Sequence, residues 1–382
     1  VQGLPGESCA TDGGTGDGGP TKSCATEVAL GRKHACALRD DGTVWCAGDN
    51  THGQLANGNA GASATFVQIP DIAGATALSS GWGHSCAVLA GGSPWCWGEN
   101  GDGQLGAAGG PAPVQVTDTG GAPLANVVEL AAGGFFTCAR ESDGSVLCWG
   151  AGTEGEMGDG LLTSRTAAGT VPGIPAAATV ATGRDHVCIL GTDGTVWCWG
   201  ADPNGEIGDG NRGMGVTRGS PFQVPLAMSA KQIATGTFHT CALLVDTSLW
   251  CWGANWQQEL GVNNGGADTP VPTAVQIPGG GTYTGAASIA AGGAVTFAVM
   301  PDGRVDAWGD SVHGQTGNGA GGVFPSPVQL ESVSRIVSHF AHACAVRTDG
   351  TIRCWGRNSE GALGNGTFTN VGFPEPLASI CP

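Results

Sequence analysis

Two kinds of side chain recur at intervals that could support chemistry: cysteines in pairs ten residues apart, and single histidines about fifty residues apart. The cysteine pairs are Cys36 and Cys46, Cys86 and Cys96, Cys138 and Cys148, Cys188 and Cys198, Cys241 and Cys251, and Cys344 and Cys354. A structural zinc site needs four converging ligands, and the chain has no CxxC step to begin one. The first pair instead flanks a turn centred near Asp41, an acidic-Gly hairpin signal. Symmetric placement about such a turn sets two residues opposite each other, closest at a non-hydrogen-bonded pair. Six disulfides are therefore expected, each contributing about 3 kcal/mol in the chain-entropy account. A seventh copy of the pattern carries Phe297 and Ala307 in place of both cysteines, as touching positions require. Such pairing belongs to an oxidising compartment. Cys9, Cys24 and Cys381 remain. Cys24 lies twelve residues before its anchor Cys36. Extending the repeat one period past Cys344 puts the neighbour of that slot at about residue 381, so Cys24–Cys381 is expected as a clasp joining the chain ends. Cys9 is then unpaired or links to another molecule; Cys9–Cys24 is the competing pairing.

His34, His84, His186, His239 and His342 share one slot, with Phe136 and Val295 in the other two copies. Substitution by phenylalanine and valine suits a packing position, with each imidazole bonding backbone, and no metal is assigned. Glu156, Glu206 and Glu259 stand where other copies have Gln54, Gln104 and Gln315. A hydrogen-bonding role open to both residue types fits better than acid–base work. The chain has no GxSxG elbow, phosphate loop with lysine or HExxH. No catalytic residue or cofactor is predicted.

The elements that position these residues follow from the repeat. Eight residues before each first cysteine, or Phe297, stands Val28, Leu78, Leu130, Val180, Ile233, Ile289 or Ile336. Each copy reads as four short strands, the last proline-flanked and suited to an edge. A unit that small cannot bury both faces, so seven of them are expected to stack in a ring. The fold class is all-β, a seven-bladed propeller with intra-blade disulfides. Expected blades are 24–73, 74–125, 126–175, 176–228, 229–284, 285–331 and 332–382. Residues 1–23, rich in Gly and Asp, read as a linker or tether. Its Asp12 and Asp17 do not fit the known calcium-loop spacing. Trp97, Trp149, Trp199, Trp252, Trp308 and Trp355 share a slot suited to packing between blades.

The recurring GxxH, DGxVxxWG and GQLG motifs resemble the regulator-of-chromosome-condensation repeat family across nearly the whole chain past residue 24. The resemblance implies a seven-bladed propeller. It does not imply one activity, since the family includes a nuclear exchange factor, a plant UV-B photoreceptor and a secreted bacterial inhibitor of β-lactamases. The cysteine-paired blades are nearest in type to the secreted bacterial members.

Net charge is −17, which disfavours nucleic acid and anionic membranes, and no apolar run approaches the ~20 residues of a membrane span. No signal peptide is visible, so the chain reads as a mature, exported form. Between the Gly and His of each copy lie two variable residues on links that should ring one face. Arg32, Lys33, Trp82, Phe135, Arg184, Asp185, Phe238 and Phe340 are the candidates there. Aromatic and cationic side chains on exposed loops suit recognition. In the plant photoreceptor, tryptophans at this slot lie on the interaction face, and Trp82 matches them. The longest departures from the repeat add Trp256 and Tyr283. The expected function is a non-enzymatic extracellular or surface module that binds a protein or glycan. A structural or surface-assembly protein is the alternative, and a polysaccharide-active enzyme comes third.

Overall fold

A computed structural model describes residues 25–319 and 321–377. The first blade shows why the sequence folds as it does. Strand β1 (Ala25–Leu30) runs antiparallel to β2 (His34–Arg39), which pairs with β3 (Val44–Gly48) and then β4 (Ser63–Gln68). The middle strands are buried on both faces, while the outer strand alternates between half-buried and exposed. Gly48 ends β3 at φ 108°, where a Cβ would lie 2.4 Å from the Lys33 carbonyl oxygen. That contact explains why glycine follows the buried slot in every copy.

Six further four-stranded sheets repeat the order, each from one unbroken stretch of chain. First strands of successive blades pack against one another around the axis, and the first strand of blade 7 (Val333–His339) packs on β1. The described residues thus form a closed seven-bladed ring.

All six expected disulfides are present. Their cysteines pair directly across second and third strands, with Cα atoms 4.0–4.2 Å apart, the close approach of a non-hydrogen-bonded pair. Phe297 faces Ala307 in the same register, and its buried ring meets the Trp355 ring edge-on, with centroids 6.0 Å apart. The expected Cys24–Cys381 clasp and Cys9 lie outside the described residues.

The buried tryptophans do more than pack. Each donates its Nε1–H to the backbone carbonyl of the preceding blade's Gln/Glu slot: Trp97 to Gln54, Trp149 to Gln104, Trp199 to Glu156, Trp252 to Glu206, Trp308 to Glu259 and Trp355 to Gln315, all at 2.8–2.9 Å. The side chains of that slot hold their own loop. Gln54 and Glu156, for example, each accept the backbone N–H two residues earlier, at 2.9 Å. Glutamine and glutamate therefore do the same work here, as expected from their interchange.

The histidines correct an expectation. They do not generally bond backbone; four of them reach across the seam to a hydroxyl. His34 meets Ser85, His84 meets Thr137, His186 meets Thr240 and His239 meets Thr296, at 2.7–3.1 Å. Thr137, Thr240 and Thr296 donate onward to the same Gln/Glu-slot carbonyls at 2.8–3.0 Å. A hydroxyl has one proton, so the imidazole Nε2 must be the donor to it. Nδ1 is left buried and unpartnered in His34, His84 and His239. Charging these rings would strand a second N–H, and burial pushes them down to about 3. Where the slot holds Phe136 the next blade has Val187, and where it holds Val295 the next blade has Ala343. At these two seams imidazole and hydroxyl are both absent.

A candidate recognition face at the channel mouth

The two ends of the ring differ in how their loops use charge. At one end lie the hairpin turns between second and third strands. Their aspartates close on their own loops: Asp193 accepts Thr195 N at 3.0 Å and Oγ1 at 2.6 Å, and Asp246 holds Ser248 similarly. Those bonds hold the exposed carboxyls below their usual range. Little is left to offer a partner.

The opposite end carries the links from first to second strands. Their side chains do not stay on separate blades. Trp82, from blade 2, lies 5.4 Å from the Phe135 ring of blade 3 and 6.4 Å from the Phe340 ring of blade 7. The Arg32 guanidinium of blade 1 sits 4.4 Å from Trp82 and 5.0 Å from Phe340. That of Arg184, in blade 4, sits 5.2 Å from Trp82 and 5.4 Å from Phe238 of blade 5. Phe238 in turn packs 5.6 Å from Trp256, which is exposed. A single indole that reaches blades 1, 3, 4 and 7 must lie over the axis. The result is an alternation of ring and cation, Phe340–Arg32–Trp82–Arg184–Phe238–Trp256, laid across the channel mouth. Phe340 is held at φ 48°, a conformation costly for a bulky side chain.

Arg184 is paired with Asp185 at 2.8 Å. Arg32 has no carboxylate partner among the described residues, and its Nε and the Trp82 Nε1 are buried without hydrogen-bond partners. Cation–π contacts of this kind contribute about 0.5–2 kcal/mol each, more as they lose water. Beside this layer opens a cavity of about 410 Å³, bounded by Phe135, Arg184, Asp185, Phe238, Glu154 and Met214. Burial raises the Asp185 carboxyl above its usual range, and Arg184 partly offsets this. Glu156 and Glu206 line the cavity deeper in; burial pushes them up to about 8 and about 7.

Seven of the ten residues singled out from sequence thus meet in one layer, with Asp185 beside it. Lys33 lies to one side, 3.4 Å from Glu360. Tyr283 does not belong to this face. It is buried between blades 5 and 6, 6.0 Å from the Trp308 ring, and donates to Asp306 at 2.7 Å. The insertion that carries it folds back as a hairpin, with Gln276 bridging Thr282. Sequence reasoning missed Met214, fully exposed beside the cavity; its place in the blade 4 insertion was the available signal. Among the described residues no three His, Cys, Asp or Glu side chains are placed to hold a metal, and no helix is long and apolar enough to cross a membrane.

Comparison with known proteins agrees with the repeat. The regulator of chromosome condensation (RCC1) repeat matches residues 25–54, 75–104, 127–156, 177–206 and 340–362, and a second form of it matches 193–243. The mitochondrial RCC1 domain-containing protein RUG3 of Arabidopsis thaliana is 28% identical over 217 residues, 54% of this chain and 47% of RUG3. The Ultraviolet-B receptor UVR8 of the same plant is 29% identical over 200 residues, 52% of this chain and 44% of the receptor. The matched regions thus span under half of each of these relatives. Among solved structures, human WBSCR16 superposes with a TM-score of 0.76 at 21% identity, covering 88% of this chain and 93% of that one. Prp20p of Saccharomyces cerevisiae gives 0.76 at 22%, covering 90% and 87%.

Proposed function

The chain belongs to the family of regulator of chromosome condensation (RCC1) repeat proteins, and from that premise we propose that it is a non-enzymatic extracellular recognition module that binds a protein through its channel-mouth face. The observation that carries the reading is the ring–cation layer, with buried, unpartnered donors on Arg32 and Trp82. Unpaired donors in a half-buried aromatic setting favour a partner that brings an acceptor. A protein is preferred to a glycan because the Prp20p structure is described with its binding to Gsp1p and histones. The six blade disulfides support an oxidising compartment.

The test is a photo-crosslinking residue placed at position 135 or 340 on this face, or at position 193 on the opposite one, exposed to the protein's native extracellular milieu. One discrete protein adduct from the first two positions and none from the third is the expected result. Trp82→Ala should then weaken that partner by at least about 30-fold, the scale of an interface hot spot. Equal adducts from both faces, or capture of polysaccharide alone, overturns the reading.

A further inference from the structure

One position in blade 4 departs from its siblings in a way that leaves an oxygen where nitrogen should be. Four blades carry asparagine just after the third strand: Asn50, Asn100, Asn255 and Asn358. In each, Oδ1 accepts a backbone N–H five residues on, at 2.8–3.1 Å. Nδ2 donates into the following loop, as from Asn358 to Asn365 Oδ1 at 3.1 Å and the Thr367 carbonyl at 2.9 Å. Loop acceptors therefore converge on the point that the amide nitrogen fills.

Blade 4 has Asp202 there. Its Oδ1 keeps the bond from Ile207 N at 2.9 Å, but Oδ2, in the amide's place, is buried with no donor to meet it. Facing it is a second carboxylate, Asp209, in the position Asn365 holds in blade 7. Arg218 covers one oxygen of Asp209, with Nε and Nη2 both 2.8 Å from Oδ2, and Asn211 N donates to Oδ1 at 2.8 Å. The guanidinium is thus engaged by Asp209, and Asp202 Oδ2 keeps no donor of its own. Next to them opens a cavity of about 400 Å³ whose other polar walls are Asn211, Thr217 and Ser220. A proton on Asp202 would quiet the repulsion but needs no cavity; a cation uses both the space and its oxygen lining.

We propose that Asp202 and Asp209, with oxygen donors of the adjoining cavity and water, bind one hard divalent cation of calcium size. Calcium accepts six to eight oxygens in irregular arrangements, whereas magnesium demands a tight octahedron. The ion would stand where four sibling blades place an amide N–H. It would brace the blade 4 insertion, which Asp202 N already ties through Val216 O at 2.9 Å. This does not depend on the recognition reading above.

The experiment titrates calcium chloride into the chelator-treated full chain at pH 7.5 by calorimetry, and follows thermal unfolding in parallel. One site is expected, with Kd of about 10⁻⁴–10⁻³ M, the range of extracellular calcium modules. At ~10 mM calcium the Tm should rise by about 2–4 °C. Asp202→Asn, which restores the residue of the sibling blades, should fold at least as well and lose both the heat and the shift. Asp209→Asn should weaken binding at least tenfold and decides the matter should the first variant fail to fold. No heat and no Tm shift in the parent chain overturns the proposal in favour of a shared proton, and calcium binding undiminished by either substitution overturns it as well.

Discussion

Six of the seven seams between blades are stitched alike, and the seventh is not. In the six, an indole N–H crosses to the carbonyl of a Gln or Glu. Where blade 7 meets blade 1, Ala47 stands in the tryptophan slot, Ala35 in the hydroxyl slot and Ala362 in the Gln/Glu slot. Indole, hydroxyl and the long Gln/Glu side chain are all missing, while the imidazole of His342 remains. His342, lacking a hydroxyl in the next blade, turns to the backbone of His34 and leaves its Nε2 buried without a partner. This is the one blade in which the expected imidazole–backbone bond is found. The space is taken from outside: the Phe66 ring lies against Gly364, as the Trp149 indole lies against Gly106. What survives is a backbone bond from Gly366 N to Ala64 O at 2.8 Å, the Lys33–Glu360 pair and an apolar cluster running from blade 6 through Val28 and Leu30. The difference teaches that the stitch has two separable parts: the indole bond holds six seams, including the two that lack imidazole and hydroxyl, whereas the imidazole–hydroxyl pair is found at four.

The comparison breaks most visibly at a regular seam. Trp199→Ala should cost about 3–5 kcal/mol in denaturant unfolding, through lost buried area, the cavity and the orphaned Glu156 carbonyl. Phe66→Ala, at the seventh seam and only half-buried, should cost less than half as much. Next in size, Thr137→Val leaves the His84 Nε2–H buried without an acceptor and should cost about 1–3 kcal/mol. Adding His84→Phe should restore most of that loss, since Phe136 and Val187 already form such a pair; a double-mutant cycle reads the coupling. Full additivity of the two changes would deny that imidazole and hydroxyl act as a coupled pair.

A titration of stability sharpens the contrast between glutamine and glutamate seams. The Glu206 carboxyl is raised to about 7 by burial, so its stabilising, protonated form is fully present below the unfolded value. That contribution is lost as pH rises through about 7. Glu206→Gln should therefore gain stability over the parent between about pH 5 and pH 8, by about 1–2 kcal/mol after relaxation. The histidines act oppositely: their depressed values protect the fold above the unfolded pKa of about 6.5 and withdraw protection as pH falls. The smallest effect is kinetic. Hydrogen exchange at Gly366 N should outpace that at Gly160 N and Gly210 N, which make the corresponding bonds at stitched seams.

The ring was legible in the residues because its signals are local. A cysteine pair spaced symmetrically about Asp41 and Gly42 declares its own register, and Phe297 with Ala307 confirms it by joint substitution. The histidine's partner was harder to find because it lies 51–57 residues away. The joint loss of imidazole and hydroxyl between neighbouring copies did carry that information. Convergence of Arg32, Trp82, Arg184 and Phe340 over the axis depends on how seven blades close, which no stretch of chain encodes alone. Tyr283 misled for the opposite reason: an insertion looks like exposed loop until its hairpin finds Asp306.

Every sheet among the described residues is made from one uninterrupted segment, and none borrows a strand from a distant part of the polypeptide. A break in the backbone between any two blades would therefore sever a connection without unpairing a ladder. Re-ended versions of the protein, opened at a stitched seam and joined elsewhere, should rebuild the same ring. The unit on which duplication can act is thus a whole blade with its disulfide already inside it.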